Sequence, residues 1–146
     1  MYQNILIVCI GNICRSPTAE RILQQKLPLL NISSAGLRAV TGKDAELQAI
    51  RTALKYGVIV AGHTARQLTP EMCKEADLIL VMEPAHIDMV ADILPEARRK
   101  TMLFAQWLPK KSIPDPFQQP DEVFEAVYRQ LAEAAEQWAM KLTLRP

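Results

Sequence analysis

Histidine and cysteine are both rare in this chain, with two and three copies in 146 residues. His63 and His86 stand far apart and belong to no recognisable ligand cluster, so no metal is expected and no other cofactor is implied. Cys9, Cys14 and Cys73 are an odd count and do not form the disulfide framework of a small secreted domain. An excess of either charge is also missing: 17 Lys and Arg face 16 Asp and Glu, for a net charge of +1. That balance excludes the broad basic face needed for sequence-independent nucleic-acid binding, so any anion must be met locally. The start, MYQNILIVCIGN, has neither a basic leader nor an apolar run of about 18 residues. Neither a membrane span nor an export signal is expected, and the reading is cytoplasmic.

The length fits one domain over 1–146 that buries a core without disulfides or metal. Ile5 to Val8 is a continuous apolar run of the kind found in a strand covered on both faces. From Pro17 the period changes to about 3.6, with Ala19, Ile22, Leu23 and Leu27 on one side. Ser16 is the expected N-cap and Pro17 the first helical residue. Further strands are expected over Asn31–Ala35, Leu78–Met82 and Lys100–Phe104. A helix over Asp44–Tyr56 would share a face of Leu47, Ile50, Ala53 and Leu54 and stop at Gly57. Others fit Pro70–Ala76, Pro84–Leu94 and Asp121–Leu142, the last with Phe124, Val127, Leu131, Ala134, Trp138 and Leu142 on its apolar side. Trp107, Trp138 and Cys73 read as core. Between Ala105 and Pro120, four prolines exclude regular structure. The alternation predicts a three-layer α/β fold, a central four-stranded parallel sheet with helices on both faces. Ligands of such sheets bind beyond the carboxyl ends of the strands, and Cys9 ends the first strand.

Five residues, IGNIC, separate Cys9 from Arg15. A segment that curls there and enters a helix turns successive backbone N–H groups toward one centre, where the helix dipole adds positive potential. Gly11 and Asn12 are the residue types best suited to a curl that needs positive φ. Arg15 closes the ring as a bidentate clamp on two oxygens. The amides that attract an oxyanion would also stabilise a thiolate, making Cys9 a nucleophile aimed at a bound tetrahedral dianion. A Cys-x5-Arg spacing is common on its own. The strand before it, Gly and Asn inside it and Ser-Pro after it raise this above an inert thiol at a strand end.

CIGNICRSPTAE, Cys9 to Glu20, resembles the signature of the low-molecular-weight protein tyrosine phosphatases. The likeness runs along the chain through SAG (34–36), GHTARQLT (62–69), DLILVM (77–82) and DPF (115–117). It implies that Cys9 attacks phosphorus and carries a phosphocysteine. Ile10, Gly11, Asn12, Ile13, Cys14 and Arg15 would form the phosphate-binding loop, with Arg15 also binding the transition state. Asp115 would give the leaving phenolate its proton and then activate water, releasing inorganic phosphate. On its own, Asp115 between Pro114 and Pro116 reads as a turn. The resemblance reverses that preference, and Phe117 offers a nearby apolar wall. Ser16 matches a hydroxyl that stabilises the Cys9 thiolate, while Ser34 and His63 match residues that hold Asn12. Cys14 matches either a redox partner that protects Cys9 as a reversible disulfide or a small residue packed behind the loop.

Two departures bear on the substrate slot. Animal members carry a tryptophan after the SAG-like motif, where this chain has Leu37, Arg38 and Val40, and two tyrosines after Asp-Pro, where it has Phe117 and Gln118. The chain is more similar to bacterial members paired with a tyrosine autokinase in exopolysaccharide or capsule production. The implied partner is therefore a phosphotyrosine protein, specifically a cognate kinase. An arsenate reductase shares the Cys-x5-Arg loop but needs two further cysteines near residues 80 to 90, and only Cys73 lies beyond the loop. A P-loop NTPase is excluded because this chain lacks the Gly-Lys-Ser/Thr ending. The intact Cys9, Arg15 and Asp115 count against an inactive phosphotyrosine-binding module.

Overall fold

The computed structural model describes residues 2–143, so both ends of the domain expected over 1–146 lie outside the described residues. The elements in chain order are β1 (Asn4–Cys9), α1 (Arg15–Lys26), β2 (Asn31–Gly36), α2 (Leu47–Leu54), α3 (Pro70–Glu75) and β3 (Leu78–Val81). They continue with α4 (Pro84–Ile93), a 3-10 helix (Pro95–Lys100), β4 (Thr101–Leu103) and α5 (Asp121–Thr143). The four strands form one parallel sheet in the order β2-β1-β3-β4. The chain leaves β1 toward β2 on one side and later returns to β3 on the other. The crevice at that reversal opens at the carboxyl end of β1, where Cys9 pairs with Gly36.

The period of two along β1 divides the core. Ile5, Ile7 and Cys9 face one apolar cluster with Ile22 and Leu23 of α1 and Val127, Leu131 and Trp138 of α5. Leu6 and Val8 face the other, with Cys73 of α3, Val90 of α4 and Ala97. Three layers result, and β1 is buried from both sides, as its unbroken apolar run requires.

Several elements depart from the sequence expectation. Helix α1 begins at Arg15 rather than Pro17, with Cys14 at the cap position and no side-chain cap bond. Ser16 cannot cap because its hydroxyl is committed to Cys9 Sγ and Asn12 Nδ2. Pro17 falls in the first turn, where its missing N–H still costs nothing. Helix α2 is shorter than the expected 44–56. The Asp44 carboxylate instead takes the N–H groups of Ala45, Gly62 and His63, and Glu46 N–H goes to Ile13 O. Its buried face is Ala49, Thr52 and Ala53, with Ile50 partly covered, while Leu47 and Leu54 point to solvent. Gly57 ends this region at φ +78°, in the left-handed conformation expected of it. Trp138 and Cys73 are core residues as expected, but Trp107 is exposed, edge-on to Trp138 and covered by Lys141.

Trp138 is 4% exposed and its indole N–H donates to Phe104 O at 2.8 Å, joining α5 to the end of β4. Trp138→Ala is therefore expected to cost about 3–5 kcal/mol in urea unfolding. Leu47→Ala, at an exposed site, should stay within about 0.5 kcal/mol of wild type. Equal stability of both variants would show that α5 does not close the core.

Candidate active site

The loop from Cys9 to Arg15 is shaped by what happens to its carbonyls. Leu37 N–H donates to Cys9 O at 2.9 Å, Arg38 N–H to Ile10 O at 2.9 Å and Val40 N–H to Gly11 O at 3.0 Å. His63 Nε2 lies 2.6 Å from Asn12 O, which only accepts, so the imidazole carries its proton on Nε2. Glu46 N–H reaches Ile13 O at 2.8 Å, and the Thr18 hydroxyl reaches Cys14 O at 2.8 Å. Each carbonyl from Cys9 to Cys14 is thus held by a donor outside the loop. Among the described residues, the N–H groups of Gly11 to Arg15 have no hydrogen-bond acceptor. Unpaired amides at a helix start are the anion-binding arrangement anticipated from the sequence.

The curl needs one left-handed residue, and it is Asn12 at φ +58°. Gly11 has no positive φ, contrary to expectation, and a Cβ there would meet nothing closer than 3.5 Å. Asn12 is fully buried. Its Nδ2 donates to Ser16 Oγ at 2.8 Å and Ser34 Oγ at 3.0 Å, and its Oδ1 accepts Arg66 N–H at 3.0 Å. Ser34 in turn donates to buried Glu20 at 2.6 Å. Because an amide nitrogen only donates, Ser16 Oγ accepts from Asn12, and its own proton is left for Cys9 Sγ at 3.0 Å. Ser16, Ser34, His63 and Asn12 therefore meet as expected. Glu20, Asp44 and Arg66 complete the network: Glu20 and Arg66 lie inside the recognised motifs without a role read from them, and Asp44 lies outside every one.

The glycine that the loop cannot replace is Gly36. A Cβ there would lie 2.5 Å from Ile10 O, 3.0 Å from Asn12 Cβ and 3.1 Å from Ala39 Cα.

A slot of about 200 Å³ opens over the loop, lined by Cys9, Ile10, Gly11, Ile13, Cys14, Arg15, Arg38, Val40, Asp115 and Phe117. Arg38, Val40 and Phe117 thus sit where they were expected. Leu37 does not: it is buried in the second apolar cluster, because its N–H continues the sheet pairing at Cys9 and its side chain follows the strand's inner face. Arg15 is 1% exposed. Its Nη1 donates to Glu83 Oε2 at 2.6 Å and Ile113 O at 2.8 Å, and its Nη2 lies 3.8 Å from Asp115 Oδ2. Asp115 Oδ1 accepts Phe117 N–H at 3.1 Å, so this aspartate both makes the turn read from PDP and faces the arginine. Cys14 is buried, and burial above all pushes its thiol pKa well up, with the charges of Asp115, Cys9 and Glu46 adding to the rise. Among the described residues, no three His, Cys, Asp or Glu side chains converge as a metal site.

A cradle of inward amides, ending a central parallel strand and closed by a buried arginine, has the form of an anion-binding loop in an α/β protein. The sequence pattern of the low molecular weight phosphotyrosine protein phosphatases matches residues 4–145, and the chain belongs to that family. It is 49% identical over 142 residues to the low molecular weight protein-tyrosine-phosphatase Wzb of Escherichia coli K12, with 97% of each chain covered. The crystal structure of the tyrosine phosphatase AmsI of Erwinia amylovora superposes with a TM-score of 0.96 at 50% identity, covering 97% of this chain and 93% of that one. The YwlE arginine phosphatase of Geobacillus stearothermophilus follows at TM-score 0.90 and 36% identity, over 98% and 94% of the two chains.

Gly36→Ala should force the loop away from β2, lowering Tm by several degrees and weakening phosphate binding about tenfold or more. Gly11→Ala, with ordinary contacts and no positive φ, should leave Tm within about 2 °C of wild type. Thermal melts and calorimetric phosphate titration read both. A Gly36→Ala protein that melts and binds like wild type would refute the close packing.

Proposed function

We propose that this protein hydrolyses phosphotyrosine in proteins through a phosphocysteine intermediate. The observation that carries the reading is the outward tethering of the loop carbonyls, which leaves the amides around Cys9 free for a phosphoryl group. Cys9 sulfur attacks phosphorus, the P–O bond to the tyrosine breaks, and Asp115 gives its proton to the departing phenolate. Water then attacks the phosphocysteine, Asp115 takes its proton, and the sulfur leaves as thiolate, met by the Ser16 hydroxyl. Inorganic phosphate is released and the enzyme is restored. There is little covalent work for the protein in this transfer. Charge stabilisation by loop amides and Arg15 dominates, and one such donor is worth about 10²–10³ in rate in comparable oxyanion sites.

Phosphoarginine is the competing substrate, since one structural relative is an arginine phosphatase. Ile13, Val40 and Phe117 give the slot apolar walls, Arg15 and Arg38 are its cations, and among the described residues that line it Asp115 is the only carboxylate. Apolar walls beside two arginines suit a phenyl ring better than a guanidinium, which would need a buried acidic partner. The partner this supports is a phosphotyrosine protein. By similarity to bacterial members of the family, we assign it as a cognate tyrosine autokinase of exopolysaccharide or capsule production, met in the cytoplasm by a single phosphatase domain over 1–146. Among the described residues, no helix is long and apolar enough to cross a membrane.

With an aryl phosphate in chelator, wild type should turn over and Cys9→Ser should not. Asp115→Ala should lose about 10²–10⁴ in kcat on a phenol of high pKa and much less on a good leaving group. Activity retained in Cys9→Ser would sink the mechanism. A higher kcat/KM on phosphoarginine than on phosphotyrosine peptides would overturn the substrate class.

The same site supports a redox role for Cys14. Peroxide would oxidise Cys9 to the sulfenic acid, and the Cys14 thiol would displace water from it to give a disulfide that added thiol reduces. Since Cys14 is held protonated by burial, closure should accelerate as pH rises through the alkaline range. Peroxide-treated wild type should recover its activity with thiol, and Cys14→Ser should recover less. Equal recovery would remove the role.

A further inference from the structure

The arginine that closes the loop is itself held from behind, by a residue to which the expected mechanism assigns nothing. Glu83 stands at the cap position of α4, immediately before Pro84, where a polar side chain ordinarily takes a first-turn N–H. It makes no such bond. Its carboxylate crosses to Arg15 Nη1 at 2.6 Å, and that nitrogen's other bond, to Ile113 O at 2.8 Å, comes from the segment leading to Asp115. Nη1 is thereby used up, which leaves the Nε and Nη2 edge of the guanidinium without a hydrogen-bond partner among the described residues. That edge has the geometry to take two oxygens of one phosphoryl group.

The second carboxylate near Arg15 is Asp115, 3.8 Å from Nη2. A fully buried guanidinium seeks a close counter-charge, and the nearer one is Glu83. His86 lies on the same Glu83 oxygen, with Nε2 at 3.7 Å, and is buried with Nδ1 unpartnered. Burial first, then the Arg15 charge, lowers the imidazole's pKa, so His86 does not supply a cation that would compete for Glu83.

We propose that Glu83 is a positioning residue for phosphoryl transfer: it pins the back edge of Arg15 and holds the guanidinium 3.8 Å from Asp115 rather than in hydrogen-bond contact with it, leaving that carboxyl free to serve the leaving group. This rests on the phosphatase reading above. Without Glu83, the arginine would turn its charge to Asp115, misplacing its phosphoryl-binding edge and engaging the general acid together.

The test uses a series of aryl phosphates with phenols of graded pKa, and inorganic phosphate binding in a Cys9→Ser background. In Glu83→Ala, kcat/KM should fall about tenfold or more, with kcat falling further than KM rises. Its dependence on leaving-group pKa should steepen toward that of Asp115→Ala, which loss of packing alone would not produce. Glu83→Gln keeps an oxygen for Nη1 but not the charge, so its kcat/KM should stay within about fivefold of wild type while the slope still steepens. A wild-type slope in Glu83→Gln would overturn the proposal even if Glu83→Ala failed to fold. So would a folded Glu83→Ala with unchanged kcat. Phosphate affinity should drop about tenfold in Cys9→Ser/Glu83→Ala relative to Cys9→Ser. That readout involves no turnover, so it separates a failure of this proposal from a failure of the phosphatase reading.

Discussion

The outward pull on the carbonyls of Cys9 to Cys14 is the constraint on which the rest of the site depends. A peptide group has its N–H opposite its C=O, so fixing each carbonyl toward the scaffold leaves the following amide facing the slot. Each tether is worth about 0.5–1.5 kcal/mol, and together they offset the cost of leaving the amides of Gly11 to Arg15 without protein partners. The donors come from four separated places: the backbone after β2, Glu46, His63 and Thr18. The long segment between β2 and α3 consequently has a purpose beyond joining two elements. It wraps the loop, and the shortening of α2 frees Asp44 and Glu46 for that work.

Asn12 extends the same constraint from backbone to sulfur. Its left-handed backbone turns the chain, and its amide has both hydrogens and its oxygen assigned by partners whose direction is unambiguous. That fixes the sense of the Ser16 hydroxyl toward Cys9. A buried polar group left half-satisfied is expensive, so the chain from Glu20 through Ser34, Asn12 and Ser16 to the sulfur holds as a unit or not at all. Asparagine tolerates positive φ and also supplies three hydrogen bonds here, whereas glycine would supply only the first property.

The sequence made legible whatever follows from period and punctuation. The apolar strand, the helix behind it, the proline-rich loop and the Cys9 to Arg15 curl all came from residue types at fixed spacing. What escaped it depends on side chains meeting from distant parts of the chain. Ser16 reads as an N-cap until its hydroxyl is seen to be taken by Cys9 and Asn12. Leu47 and Leu54 read as a buried face because their helical period suits one, but α2 turns Ala49, Thr52 and Ala53 inward, with Ile50 partly covered. Glu83, 68 residues from Arg15, has no local pattern to mark it.

The orientation of the proposed nucleophile is set by the most heavily determined feature of the fold, the register of β1. Cys9 lies on the same face as Ile5 and Ile7, and Leu6 and Val8 lie on the other. A one-residue slip against β2 and β3 would turn every one of these side chains to the opposite layer. Both layers are packed, so the slip would put side chains shaped for one core into the other on both faces at once. Cys9 also pairs with Gly36, the one glycine at which a Cβ would strike the loop backbone. The burial that stabilises the sheet therefore fixes both the direction of the sulfur and the clearance for the loop around it.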